Sequence, residues 1–177
     1  MSFPLRYVIT GAPCTGKSTL LKFLQSKNFN TFPEAARKII KQELAINSPK
    51  VPWINNLGFS QLVINQQISD YNKAKIGVNF YDRAIPDVIA YFQYYRQIDL
   101  IKQFEPFAEQ HNYHSSVFIL PPWEEIYFAD TERKESYQEA LMIHNNLLKT
   151  YKSLNYKITL VPFGSIEERF NFILSHL

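Results

Sequence analysis

The sequence predicts a three-layer α/β fold, a parallel sheet with helices on both faces. Short apolar runs alternate with segments of helical period along the chain, and a glycine-rich loop joins the first apolar run to the first helical one;. The 177 residues, 46% hydrophobic and 15% aromatic, are enough for one buried core and lie well outside the composition of disordered chains;. A single domain spanning 1–177 is expected, with no repeat and no low-complexity block;.

The candidate strands, in order, are Leu5–Thr10, Asn30–Phe32, Val78–Asp82, Ser116–Leu120 and Lys157–Val161;. Leu20, Leu21 and Leu24 mark the first helix, and Ala35–Leu44 the second. Asn47–Leu57, with Pro49, Pro52 and Trp53, reads as a loop between helices;. Ile85, Val88, Ile89 and Phe92 recur at helical spacing, as do Ala140, Leu141, His144, Leu147 and Tyr151, and then Ile166, Phe170, Ile173 and Leu177;. Ser136 with Glu139, and Ser165 with Glu168, have the spacing of capping boxes, in which hydroxyl and carboxylate satisfy the first free N–H groups of a helix;.

A net charge of +3 over 35 charged residues is too mild and too scattered for a nucleic-acid groove;. No apolar run approaches the roughly 20 residues of a membrane helix, and MSFPLRYVIT lacks the pattern of a secretory signal;. The lone Cys14 excludes an intrachain disulfide framework, so a cytoplasmic protein is expected;. The four histidines show no zinc-type pairing with cysteine;.

Gly11-Ala12-Pro13-Cys14-Thr15-Gly16-Lys17-Ser18 matches G-x-x-x-x-G-K-[ST] at every fixed position;. The glycines let the backbone curl so that successive N–H groups face a phosphate, and the following helix adds its positive end. Gly11 through Thr19 is therefore the expected binding segment for ATP or GTP, with Lys17 on the β and γ oxygens and Ser18 on Mg²⁺;. This is the phosphate loop of a P-loop NTPase fold. Cys14 occupies a variable position of the motif, although a thiol near Lys17 and a helix N-terminus has the setting of a reactive one.

Asp82 ends an apolar run and is expected at the carboxyl edge of a strand beside the loop, where ligands bind in open α/β sheets;. A carboxylate there suits the Mg²⁺ hydration shell, and Arg83 brings a planar fork suited to phosphate. Glu34 opens the second helix, either as a residue favouring a helix start and pairing with Arg37 or Lys38, or as part of the chemistry. Tyr91, Phe92, Tyr94, Tyr95 and Trp53 fit a core stripe better than the lining of an acceptor pocket.

Beyond the loop, Pro33–Arg37, Tyr81–Asp87, Leu120–Tyr127, Asp130–Arg133, Val161-Pro162 and Ser165–Arg169 resemble the predicted AAA-type ATPase family. That family is related to the ribosylnicotinamide kinase domain of the bacterial NAD regulator and to the animal TRP-channel translocation-defect GTP-binding protein. The resemblance implies a kinase-like sheet of about five strands in the order 2-3-1-4-5 and a helical lid near 121–136. It gives Glu34 the role of general base and Arg133 that of a lid arginine over the phosphates, and places Pro162, Phe163 and Gly164 beside the nucleotide base. Two features depart from AAA-type ATPases proper. Arg83 follows Asp82 where those enzymes have a water-orienting glutamate, and 177 residues leave no room for their additional helical domain. A guanine signature is missing, since Asn72-Lys73-Ala74-Lys75 lacks the aspartate. The expected activity is transfer of the γ-phosphoryl of ATP or GTP to a hydroxyl of a nucleoside-like or other small metabolite. The alternative is a nucleotide-dependent switch or slow NTPase acting on a partner or an anionic lipid. The sequence leaves the acceptor, the preferred base and the oligomeric state open.

Overall fold

A computed structural model describes residues 3–127 and 135–177. The parallel sheet comprises β1 (Pro4–Gly11), β2 (Asn30–Phe32), β3 (Gly77–Asp82), β4 (Ser116–Leu120) and β5 (Lys157–Leu160), in the order β2-β3-β1-β4-β5. The helices are α1 (Lys17–Ser26), α2 (Ala35–Ala45), α3 (Asn56–Asn72), α4 (Ile85–Tyr94), α5 (Ile98–Gln110), α6 (Tyr137–Ser153) and α7 (Ile166–Leu174). The predicted fold class and strand order are observed.

Why the strands read as unbroken apolar runs is visible in the burial. Tyr7 and Ile9 of β1, Phe80 of β3, and Phe118 and Leu120 of β4 face a core built with Leu20, Leu21 and Leu24 of α1 and Ile173 of α7. Their neighbours Val8, Tyr81, Val117 and Ile119 point the other way, onto Ala140, Ile143, Leu147 and Tyr151 of α6. Successive strand residues thus alternate between two buried faces, and the buried polar residues on these strands, Thr10 and Asn79, are hydrogen-bonded within the fold;. At ~25 cal/mol per Å² of apolar area, each such large side chain contributes about 1.5 to 3 kcal/mol.

Local signals set the helix starts. Ser136 accepts from the Glu139 N–H at 3.3 Å while Glu139 accepts from the Ser136 N–H at 2.7 Å. Ser165 and Glu168 repeat the pair at 3.3 and 2.8 Å. Both predicted capping boxes are therefore present. The expected loop lies between α2 and α3, and α3 is capped by the Asn55 side chain accepting from Gly58 N–H at 2.9 Å. Two helices had no clear sequence signal. In α3 the apolar residues do not keep to one stripe, and α5 carries Pro106 in its interior, a helix breaker in most settings;.

Strand order fixes where a ligand can sit. The chain lays β2 and β3 on one side of β1 and β4 and β5 on the other, so the topological switch falls at the carboxyl end of β1;. The phosphate loop leaves β1 at that point.

Candidate functional site

Two glycines shape the loop. Gly11 has φ 149°, and a Cβ there would lie 2.4 Å from the Leu120 carbonyl oxygen; Gly16 has φ 80° and would place its Cβ 2.8 Å from Arg169 Nη1. A side chain at either position would force neighbouring strands or the α7 arginine aside. Cys14 also takes a left-handed φ of 61°, and its side chain is buried.

The Lys17 ammonium is folded over the loop it belongs to, donating to the Ala12 carbonyl at 2.6 Å and to Thr15 Oγ1 at 3.2 Å. It is 6% exposed. Burial and the nearby Arg83 charge pull its pKa down to about 7, against the opposing pull of Asp82, Glu34 and Asp87;.

Asp82 ends β3 beside Ile9 of β1, as expected, and is 5% exposed. Burial, reinforced by Glu34, raises its pKa to about 6, although Lys17 and Arg83 pull the other way. Its Oδ1 is buried with no hydrogen-bond partner among the described residues. Such an atom is costly unless a ligand, water or metal satisfies it.

Arg83 occupies a left-handed φ of 68°, a conformation that costs a non-glycine residue about 1 kcal/mol or more, and its N–H donates to the Ile9 carbonyl at 3.1 Å;. The bend turns the guanidinium into the site. There Nε donates to Glu34 Oε1 at 3.2 Å, Nη1 donates to Asp87 Oδ1 at 3.3 Å, and the group lies 5.3 Å from the Tyr91 ring centroid. Burial opposes the Arg83 charge, but Tyr91 and the carboxylates outweigh it and keep the group ionised. Glu34 in turn also meets Arg37 at 3.7 Å. Burial pushes the Glu34 pKa up, yet Arg83, Lys17 and Arg37 together bring it below the usual carboxylate range.

Asp87 is the residue that sequence reasoning missed. It accepts from the Ala84 N–H at 2.9 Å, from the Tyr151 hydroxyl at 2.6 Å, from the Thr10 hydroxyl and from Arg83. The carboxylate thereby ties β1, α4 and α6 to the arginine. Its place in the first turn of α4, one residue after Pro86, was the available signal;. Arg169 is a second omission in substance. Although part of a quoted motif, it had no role, and the structure has its Nη2 donating to the Thr15 carbonyl at 2.9 Å across 154 residues of sequence. Its guanidinium also lies 6.0 Å from the Trp123 ring centroid, and Trp123 stacks on Phe163 at 5.0 Å.

Ser18, Glu34 and Asp82 line one cavity of about 420 Å³ together with Pro33, Arg37, Lys38, Lys41 and Gln42. None of the five aromatics considered for a pocket lines it. Phe92 is core, Tyr94 donates to Glu139 at 3.1 Å, and Tyr95 and Trp53 are exposed, whereas Tyr91 instead covers Arg83. Arg133 and the rest of 128–134 of the expected lid lie outside the described residues.

The family described as the AAA domain matches residues 6–169. The chain belongs to that family. No curated protein matches the sequence. Among solved structures, thymidylate kinase from Candida albicans is similar with a TM-score of 0.69 at 20% identity, over 98% of this chain and 90% of that one. NadR in complex with NR gives 0.69 at 19% identity, over 98% of this chain but only 50% of NadR. Deoxyadenosine kinase from M. mycoides gives 0.66 at 12% identity, over 97% and 98% of the two chains. These likenesses establish the fold of the AAA-domain chain, a kinase-like P-loop architecture. No helix among the described residues is long and apolar enough to cross a membrane.

The residues fit a triphosphate and a divalent cation. An ammonium sits over the loop, the Ser18 hydroxyl and the Asp82 carboxylate line a common cavity, and Asp82 Oδ1 awaits a partner;.

Proposed function

We propose that this protein is a cytoplasmic small-molecule kinase that moves the γ-phosphoryl of ATP or GTP onto a hydroxyl of a small acceptor. One observation carries the reading: Ser18 of the phosphate loop shares a single cavity with two carboxylates, Glu34 and Asp82. The fold common to this chain and the kinases above supports it, as does Arg83 following Asp82 in place of a water-orienting glutamate.

The proposed roles follow from the contacts. Gly11–Thr19 and Lys17 hold the phosphates, and Ser18 and Asp82 hold Mg²⁺, whose chemistry is to neutralise charge on them. Glu34, ionised at neutral pH by its arginine neighbours, takes the proton of the acceptor hydroxyl;. Arg83, fixed from behind by Asp87, faces the charge that builds on the transferred group;. The acceptor oxygen bonds to the γ-phosphorus, the bond from that phosphorus to its bridging oxygen breaks, and the electron pair leaves with the nucleoside diphosphate. Arg133 is proposed as the lid arginine, and Phe163 with Trp123 as the face against which the nucleotide base rests.

Glu34→Gln tests the reading. It preserves size and helix start, so nucleotide affinity and melting temperature should hold while phosphoryl transfer drops by roughly 10²-fold or more. A wild type that binds Mg²⁺-nucleotide yet phosphorylates no acceptor from a broad panel of hydroxyl compounds would favour the switch instead.

A further inference from the structure

The part of the cavity wall that α2 supplies is not neutral. Arg37, Lys38 and Lys41 of α2 all line it. Glu34 and Asp82, its two carboxylates, already face the buried cations Lys17 and Arg83. Among the residues that line the cavity, three α2 cations thus stand beside two carboxylates. Arg37 reaches Glu34 at 3.7 Å and Lys38 donates to Gln66 Oε1 at 2.9 Å, while Lys41 pairs with no carboxylate among the described residues. Arg37 and Lys41 stand one turn apart on the same helix face, where like charges repel and weaken the helix;. A stripe that destabilises its own helix and opens on a cavity suits a ligand of opposite charge.

We infer that the acceptor carries an anionic group, a phosphomonoester or a carboxylate, which the Arg37–Lys41 face of α2 holds while the hydroxyl lies at Glu34. The inference rests on the kinase reading for the hydroxyl's place. The helix supplies a ruler. At 1.5 Å per residue, Glu34 and Lys41 are about 10 Å apart along α2, so the reacting hydroxyl and the anionic group are expected to be separated by a distance of that order. Neutral nucleosides and simple polyols lack the required group. The γ-phosphoryl donor does not meet this stripe through the parts proposed for it, since the phosphate loop takes its phosphates and neither Trp123 nor Phe163, the face proposed for its base, lines the cavity.

Matched pairs test this with the full chain and Mg²⁺-ATP or Mg²⁺-GTP. Ribose is compared with ribose 5-phosphate and a hydroxy acid with its amide, by transfer and by calorimetric binding, in wild type and in Lys38→Ala/Lys41→Ala. The expected result is at least tenfold better use of the anionic member of one pair, with the phosphate pair or the carboxylate pair identifying the group. The double variant should raise KM for that member about tenfold and leave the nucleotide KM where it was. Equal use of both members, unmoved by the substitutions, would overturn the anion site and leave the kinase reading intact. A rise in nucleotide KM alone would assign the stripe to the donor and also overturn it. Binding of the anionic member that is lost in the double variant, with no transfer from any acceptor, would sustain the anion site and defeat the kinase reading.

Discussion

Asn79 and Asp82 belong to the same strand, β3, and both side chains are almost fully buried, yet their surroundings differ in kind. The Asn79 amide is saturated. Its Oδ1 accepts from Asn30 Nδ2 at 2.7 Å and Lys75 N–H at 2.9 Å, while Nδ2 faces the carbonyls of Lys75, Gly77 and Leu5 at 2.7, 2.9 and 3.3 Å. Asp82, at the carboxyl end, has an Oδ1 with no partner among the described residues and a raised pKa. A buried polar group that serves the fold finds its partners inside the fold; one that serves a ligand leaves a bond unmade. On the proposed reading the strand changes purpose along its length, from stitching the edge strand β2 to the sheet to presenting chemistry.

If that contrast is correct, substitutions at the two positions should act with opposite sign on stability. Asn79→Ala deletes the neutral hub and strands several buried partners, so it should destabilise by about 2 to 4 kcal/mol, read from urea unfolding at neutral pH. The fraction that remains folded should bind Mg²⁺-nucleotide as the wild type does. A loss under about 0.5 kcal/mol would show that water replaces the amide at no penalty and would erase the structural half of the contrast.

Asp82→Asn should do the reverse, stabilising the protein in the absence of metal and nucleotide while removing its Mg²⁺-dependent activity. The folded pKa of about 6 lies above the ordinary value of 3.8, so the fold prefers the protonated form. The preference is present in full below pH 4 and is lost as pH rises through 6, beyond which the charged form is a burden of at most about 3 kcal/mol. Asn removes that burden. The gain should therefore be absent at pH 3.5 and complete above pH 7, and a gain independent of pH would mean that Asp82 is not the group responsible.

What the sequence disclosed of this contrast follows from the range over which each residue acts. The phosphate loop, the five strands and both capping boxes were legible because each depends on residues a few positions apart and on a simple period. Lys17, Ser18 and Asp82 followed from the loop and from the end of an apolar run. Asp87 was not legible, because its partners Thr10 and Tyr151 come from β1 and α6, 77 and 64 residues away. Arg169 is the same case at greater range. The left-handed turn at Arg83, where local propensity would favour glycine or asparagine, also has no local signature; Ile9 and Asp87 hold it from outside;.

The smallest effect expected concerns Lys17, the basic counterpart of Asp82, and it sharpens the idea that this end of the sheet waits for a ligand. Burial and Arg83 bring its pKa to about 7, so near neutrality the ammonium is only partly charged in the protein alone. A triphosphate supplies the negative charge the lysine lacks and moves its pKa back up toward 10.5;. Between those values binding must take up a proton, and affinity falls as pH rises, by as much as tenfold or 1.4 kcal/mol per unit. Above about pH 8 the phosphate chain itself is fully ionised and contributes nothing to the slope. Calorimetry of ATP binding at pH 8.5, in two buffers of different ionisation enthalpy, should therefore register the uptake of close to one proton per nucleotide. Lys17→Met, tested at raised nucleotide concentration, should bind weakly and without that uptake. A wild type that binds with no proton exchange would mean that Asp82, Glu34 and Asp87 already keep the ammonium fully charged, and that the loop is prepared electrostatically before the nucleotide arrives.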